Sequence, residues 1–255
     1  MALLWRTSEP PSRARSGGPA LTVDAIVAAA VAIADAAGIE ALTMRRVAER
    51  LEAAAMSLYT YVPGRAELLD LMVDLVYAET PRPPIGRQAV AAADTAQPIG
   101  EGRWRTALES IARENHALYL RHPWLLQVAT GRPVLGPNLI AKYDYELGAL
   151  DGEGLSDVDM DSILSLVLSF VHGAAREAVE AARVVRRSGL TEQQWWDASA
   201  PYLAQVFDPE RHPLAARVGA AAGEAHGAAH DPAYAFEFGL ARVLDGVASF
   251  LGTSR

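Results

Sequence analysis

"AMSLYTYVPGRAELLD", residues 55–70, sets Tyr59 and Tyr61 on a helical segment that stops at Pro63-Gly64 and resumes at once as a charged, leucine-rich helix. Leu58 and Val62, at i and i+4, form the apolar contact that would hold the short segment against a core. Upstream, Thr43 is placed to cap a helix over "MRRVAERL" (44–51), with Val47, Ala48 and Leu51 inward and Arg45, Arg46 and Arg50 outward. Before it, Thr22 and Asp24 open a longer helix over "VDAIVAAAVAIADAA" (23–37) that ends at Gly38. One longer helix followed by two short ones across a tight turn is the helix-turn-helix arrangement.

That arrangement gives each residue choice a physical purpose. The second short helix must enter a major groove about 12 Å wide, so its outer face should carry small or slim side chains. Ala55, Met56 and Ser57 meet that need. Anchoring falls to groups that reach phosphates: the Thr43 hydroxyl and nearby backbone N–H groups, the Tyr59 and Tyr61 hydroxyls, and Arg65 after the break. A tyrosine suits such a rim, because its ring packs on protein while its hydroxyl meets the nucleic acid backbone.

The remaining chain reads as helical throughout. A fourth helix is expected from about residue 65 to 80, with Leu68, Leu71, Met72 and Leu75 on its buried side, ended by "PRPPIGRQ". Helical patterns follow in "RWRTALESIARENHALYLRH", "WLLQVAT", "GPNLIAKYDYELGAL", a long run from Asp157 to about Arg187, "TEQQWWDASAPYLAQVF" and "DPAYAFEFGLARVLDGVASFL". The Gly/Ala/His stretch "HPLAARVGAAAGEAHGAAH" is expected to be mobile, and residues 1–20, rich in Pro, Ser, Gly and Arg, to be a disordered arm. No segment alternates convincingly as a strand, so the fold class is all-α: a three-helix head over residues 21–66 and a helical-bundle body over 67–255.

Composition narrows the function. The chain has 255 residues and no cysteine, which removes disulfides, thiolate nucleophiles and cysteine-ligated metals, and points to a reducing cytoplasm. No stretch has the pattern of a signal peptide or about 18 uninterrupted apolar residues, so no membrane partner is expected. Net charge is −8, but residues 1–66 carry +1 and the remainder −9, a small polyanion-reading module on an acidic body. Lys142 is the sole lysine among arginines, which reads as coding bias. No nucleophile with a paired base, Gly-rich phosphate loop, H-E-x-x-H or calcium loop occurs, so neither an enzyme nor a cofactor or metal site is expected. His116 and His122 flank a helix end, and the other histidines have no metal-ligand spacing. Trp104, His116, Trp124, Phe170, His172 and Trp195 are the candidates to line a ligand cavity, with ordinary core packing as the competing reading.

The stretch "ALTMRRVAERLEAAAMSLYTYVPGRAELLDLM" (41–72) resembles the N-terminal motif of the tetracycline-repressor family, and "FEFGLARVLDGVASFL" is similar to the last helix of that family's tetracycline-repressor-like C-terminal class. The resemblance covers about residues 20–252. It implies a homodimeric, ligand-responsive repressor of roughly palindromic operator DNA, with heads spaced about 34 to 36 Å apart and released by a small-molecule effector. It places the dimer contact in the helices near 157–187 and 233–251. It implies guanine contact for Arg45, base reading for Ser57, phosphate or base contact for Tyr59 and Tyr61, and phosphate contact for Arg65. One position departs: Glu52 stands where the family usually has glycine after the last leucine of the second helix. Either a turn of different shape or a modest DNA affinity follows from that departure, and a helical ligand-binding dimer with weak or lost DNA binding is the alternative function.

Overall fold

Thr22 Oγ1 accepts from the Ala25 N–H at 3.1 Å, and Gly38, at φ 81°, closes the helix α1 (Val23–Ala37) that this cap opens. The computed structural model describes residues 3–5, 21–85, 102–128, 133–228 and 230–253. After a 3-10 turn at Ile39–Ala41 come α2 (Met44–Arg50), α3 (Ala55–Leu58) and α4 (Arg65–Tyr77). The body holds α5 (Arg103–Arg121), α6 (Leu125–Val128), α7 (Pro137–Leu147), α8 (Asp157–Ser188), α9 (Glu192–Val206), α10 (Pro213–His226) and α11 (Pro232–Thr253). No strand occurs among the described residues.

The head is built around fully buried Ile26, Val47, Leu58, Val62, Leu68 and Met72. Leu58 and Val62 thus pin α3, whose four residues cannot sustain a helix alone. In the body, α8 packs on both α5 and α11. Its buried stripe, Ile163, Leu164, Val167, Val171, Ala175 and Val179, follows a helical face, and Phe236, Leu240, Leu244, Val247 and Leu251 answer it from α11. Ser156 caps α8 at the Asp159 N–H, and Gly189 ends it in the left-handed conformation. Gly239 is required where α11 meets α8, because a Cβ there would run into the Phe170 ring.

Three expectations change. Leu75 is exposed, because α4 packs against α1 on one side and α7 on another, which turns Val73, Asp74 and Val76 inward instead. The stretch expected to be mobile contains α10: Pro213 begins it, alanines favour it, and Gly227 at φ 61° closes it. Within the expected arm, residues 3–5 form a turn in which Leu4 is buried and Trp5 Nε1 donates to the Leu135 carbonyl at 2.8 Å. Arg6, Arg13, Arg15 and the rest of that arm lie outside the described residues.

Candidate nucleic-acid interface and effector site

At the end of α2, the Ala53 N–H bonds the Ala48 carbonyl at 2.9 Å and the Glu52 N–H bonds the Glu49 carbonyl at 3.2 Å. These are the paired bonds of a Schellman motif, with Glu52 at the left-handed position. Its φ is 51°, the one positive φ at a non-glycine residue among the described residues. The turn therefore keeps the shape that glycine would give it. Glu52→Gly is expected to raise stability by about 0.5–1 kcal/mol, the left-handed strain relieved less glycine's added unfolded-state freedom. Losing a negative charge beside the head should also tighten operator binding; unfolding curves and an operator titration check both.

The face this turn presents is open. Met56 is 77% exposed, Tyr59 is exposed, and Ala55, Ser57 and Tyr61 are half-buried, with Ala55 and Tyr61 packed on the core. Arg45 pairs with Glu49 at 2.9 Å, but both side chains are largely in solvent, so the pair is weak and leaves Arg45 free to reach outward. Thr43 Oγ1 accepts from the Arg46 N–H at 3.2 Å, which keeps its own proton available for a phosphate. Arg46 donates to the Ala41 carbonyl at 3.3 Å. Arg65 departs from the group: its guanidinium donates to the Ile39 carbonyl at 3.2 Å and lines a cleft between head and body. That cleft, of about 560 Å³, runs along α4 past Leu69, Val73 and Tyr77 to Val128, Val134 and Leu139.

Head and body also meet at a buried polar seam. His122, 4% exposed at the end of α5, sets Nδ1 2.7 Å from Asp35 Oδ1 of α1 and Nε2 3.0 Å from Glu79 Oε2. Trp124, 1% exposed, donates to the same Asp35 oxygen at 2.7 Å, and Arg121 bonds Glu79 at 3.1 Å. Trp124 is thus a tie between head and body.

The other aromatic candidates divide. His116 stacks on Phe236 at 4.1 Å between ring centres, and Phe236 stacks on Phe170 at 6.0 Å. His116 Nε2 is buried without a hydrogen-bond partner, and burial pulls this imidazole below the usual histidine range, against the opposing pull of Glu237. His172 meets Tyr119 edge-on at 5.5 Å. Trp104 is buried in the first turn of α5. Trp195 is exposed on α9, a helix with no buried residue, so it joins none of the others.

The sequence reading missed a buried polar cluster that joins α5 to α7. Lys142 and Glu146, 5% and 4% exposed, join at 2.6 Å, and Asn115 Nδ2 donates to the same Glu146 oxygen at 2.6 Å. The Lys142 cation lies 5.4 Å from the centre of the Tyr77 ring. Desolvation pushes the Lys142 ammonium below the usual lysine range, opposed by Glu146, and pushes the Tyr77 and Tyr119 phenols up. Asn115, Lys142 and Glu146, with Glu114 as a second carboxylate, line a small cleft of about 40 Å³ beside Pro81, Pro83 and Ile111. The available signal was the one lysine of the chain, four residues before a glutamate.

Residues 26–72 match the family described as bacterial regulatory proteins of the tetR family, and residues 98–251 match the tetracyclin repressor-like C-terminal domain. The HTH-type transcriptional repressor DrrR1 of Streptomyces coeruleorubidus is 43% identical over 247 residues, 97% of this chain and 84% of that one. The crystal structure of apo ActR from Streptomyces coelicolor has a TM-score of 0.71 at 29% identity, covering 92% of this chain and 98% of ActR. ActR in complex with actinorhodin gives 0.73 at 28%, covering 92% and 99%. With an open reading face on a helix-turn-helix head, a helical body behind it and both domains matched, the chain belongs to the tetracycline-repressor family of transcriptional regulators.

Proposed function

We propose that this regulator is a homodimeric repressor whose two heads, about residues 21–66 of each subunit, occupy a roughly two-fold operator and leave it when a small molecule occupies the body. The exposed face of α3, pinned from behind by Leu58 and Val62 and flanked by Arg45 and Thr43, carries the reading. Ala55, Met56 and Ser57 approach base edges; Thr43, Tyr59, Tyr61 and a reoriented Arg65 hold phosphates; Arg45 reaches a guanine, with Arg46 beside it. ActR's complex with actinorhodin supports an organic effector. His116, Phe170 and His172 are the aromatic residues we assign to it, with Trp104 a further candidate in the first turn of α5.

The dimer would form through α8 and α11. Leu166 and Val184 of α8 and Tyr234, Phe238 and Phe250 of α11 are exposed apolar side chains, the kind of surface that a partner removes from water. By length and composition alone, α8 is also apolar enough to cross a membrane. Its burial against α5 and α11, together with a dimer contact on its open face, accounts for that apolarity. A DNA-bound regulator of this kind works in the cytoplasm.

Fluorescence anisotropy with DNA upstream of the gene tests the reading. Four phosphate contacts per head, eight per dimer, should weaken binding by about 10⁴-fold between 50 and 200 mM salt. Tyr59→Phe should lower affinity evenly across sequences, while Arg45→Ala relaxes discrimination at one base position by about 1–3 kcal/mol. Salt-independent or absent retention overturns the repressor reading in favour of a ligand-binding dimer.

A further inference from the structure

Arg45 stands at an unfavourable place in the helix that carries it. It is the second residue of α2, after the Thr43 cap and Met44, where a helix start favours negative charge, and α2 has no acidic residue in that turn. Arg46, beside it, donates back to the Ala41 carbonyl at 3.3 Å. The Arg45 side chain instead stays 85% exposed, and its Nε donates to Glu49 Oε1 at 2.9 Å. That pair gives the helix little, because an i, i+4 ion pair is weaker with the basic residue first and both side chains are largely in water. What it does fix is the guanidinium, which has one N–H on Nε and two on each terminal nitrogen. With Nε committed to Glu49, the terminal nitrogens remain, the end-on fork that meets O6 and N7 of a guanine together.

We infer that Glu49 is a positioning residue for sequence reading: it orients the Arg45 guanidinium toward a guanine and so sets how strongly the head prefers that base. This role rests on the repressor reading above and names a specificity determinant within it. Glu49 acts through Arg45, not on the base itself. An arginine loses rotamer freedom when it is fixed on a base, and a partner that already holds it reduces that loss. Where the groove displaces water from the pair, the bond between Nε and the carboxylate strengthens. The carboxylate also repels phosphates, and it does so at every sequence alike. Glu49 therefore lowers affinity for all DNA while raising the share of binding that depends on the guanine.

Two plainer roles for Glu49 lead to other patterns. A carboxylate that only supported α2 would change the melting temperature when removed and leave base preference alone. A carboxylate that only repelled DNA would, once neutralised, raise affinity for every duplex by the same factor. The positioning role alone couples a gain on unrelated DNA to a loss of discrimination at one base.

Fluorescence anisotropy separates these roles, using the full-length protein, the duplex upstream of the gene, a scrambled duplex, and the upstream duplex with 7-deazaguanine, which lacks the N7 acceptor, at one guanine at a time. Wild-type protein is expected to lose about tenfold in affinity at a guanine that Arg45→Ala no longer distinguishes, the loss of one charged hydrogen bond. Glu49→Ala should shrink that loss to about threefold, half of it in free energy, while binding the scrambled duplex more tightly. Glu49→Gln, whose amide oxygen still accepts from Nε, should keep the tenfold loss and share the gain on scrambled DNA. Each comparison sets one protein sample against two duplexes, so a partly folded variant does not mimic the result. A tenfold loss retained by Glu49→Ala overturns the positioning role. A Glu49→Gln protein as indifferent to the base as Glu49→Ala overturns it too, since charge and not position would then be the cause, and so does wild-type binding indifferent to every guanine. Wild-type protein that binds no duplex sinks the repressor reading and the positioning role together, whereas discrimination that ignores Glu49 sinks the positioning role alone.

Discussion

Glu146→Ala is expected to destabilise the protein by about 3–5 kcal/mol, the usual penalty for stranding one member of a buried ion pair. Lys142 would keep its charge in a site where burial already pushes its ammonium below the usual range, and Asn115 would lose an acceptor as well. For a chain of this size each kcal/mol moves the thermal midpoint by roughly 2–4 °C, so a fall of about 10 °C is expected by scanning calorimetry. Lys142→Met/Glu146→Leu, which removes both charges at similar volume, should recover most of it. The deficit should depend on pH with a definite sign. Without Glu146 the folded protein binds the Lys142 proton less readily than the unfolded chain, whose lysine titrates near 10.5. Stability of the single variant therefore rises as pH climbs toward that value and is lost as pH falls below it. A single variant as stable as the double would show that the pair is solvated and bears no buried charge.

What the sequence disclosed was local. Thr22 and Thr43 as caps, Gly38 as a stop and the Pro63-Gly64 break are short-range signals, and the head follows them to within a residue or two. The glycine-like turn at Glu52 defied its residue type because two backbone bonds and the packing of Ala53 on the core fix it there. Periodicity failed at Leu75, since a helix packed on two neighbours has no single buried stripe. The polar sites were invisible for another reason. Lys142 and Glu146 four apart on a helix look like any solvent-facing pair until α4 and α5 close over them. Asp35 and Trp124 are 89 residues apart, and no spacing rule joins them.

That last contact sets the second large effect. Asp35→Ala is expected to cost about 3 kcal/mol, because it leaves the His122 Nδ1 and the Trp124 indole N–H without their acceptor, at about 1–3 kcal/mol for each buried group. Asp35 is partly exposed, so water can satisfy some of the loss; His122 and Trp124 are buried, so it cannot satisfy all of it. The consequence should extend beyond stability. Asp35 belongs to α1 of the head, while His122 and Trp124 belong to the segment joining α5 to α6, so their bonds are the polar ties that cross the seam away from α4. Glu79 holds the other face of His122 just after α4, which makes the imidazole a bridge between the two helices that support the reading face. With Asp35 gone, a polar tie between α1 and the body is lost, while α4 and the His122–Glu79 bond remain. An effector can shift operator affinity only by the free energy with which the two are coupled. The variant should therefore retain operator binding without effector and show a smaller loss of affinity when effector is added, measured as the ratio of the two dissociation constants. An unchanged ratio in a destabilised variant would make the seam a matter of folding and not of signalling.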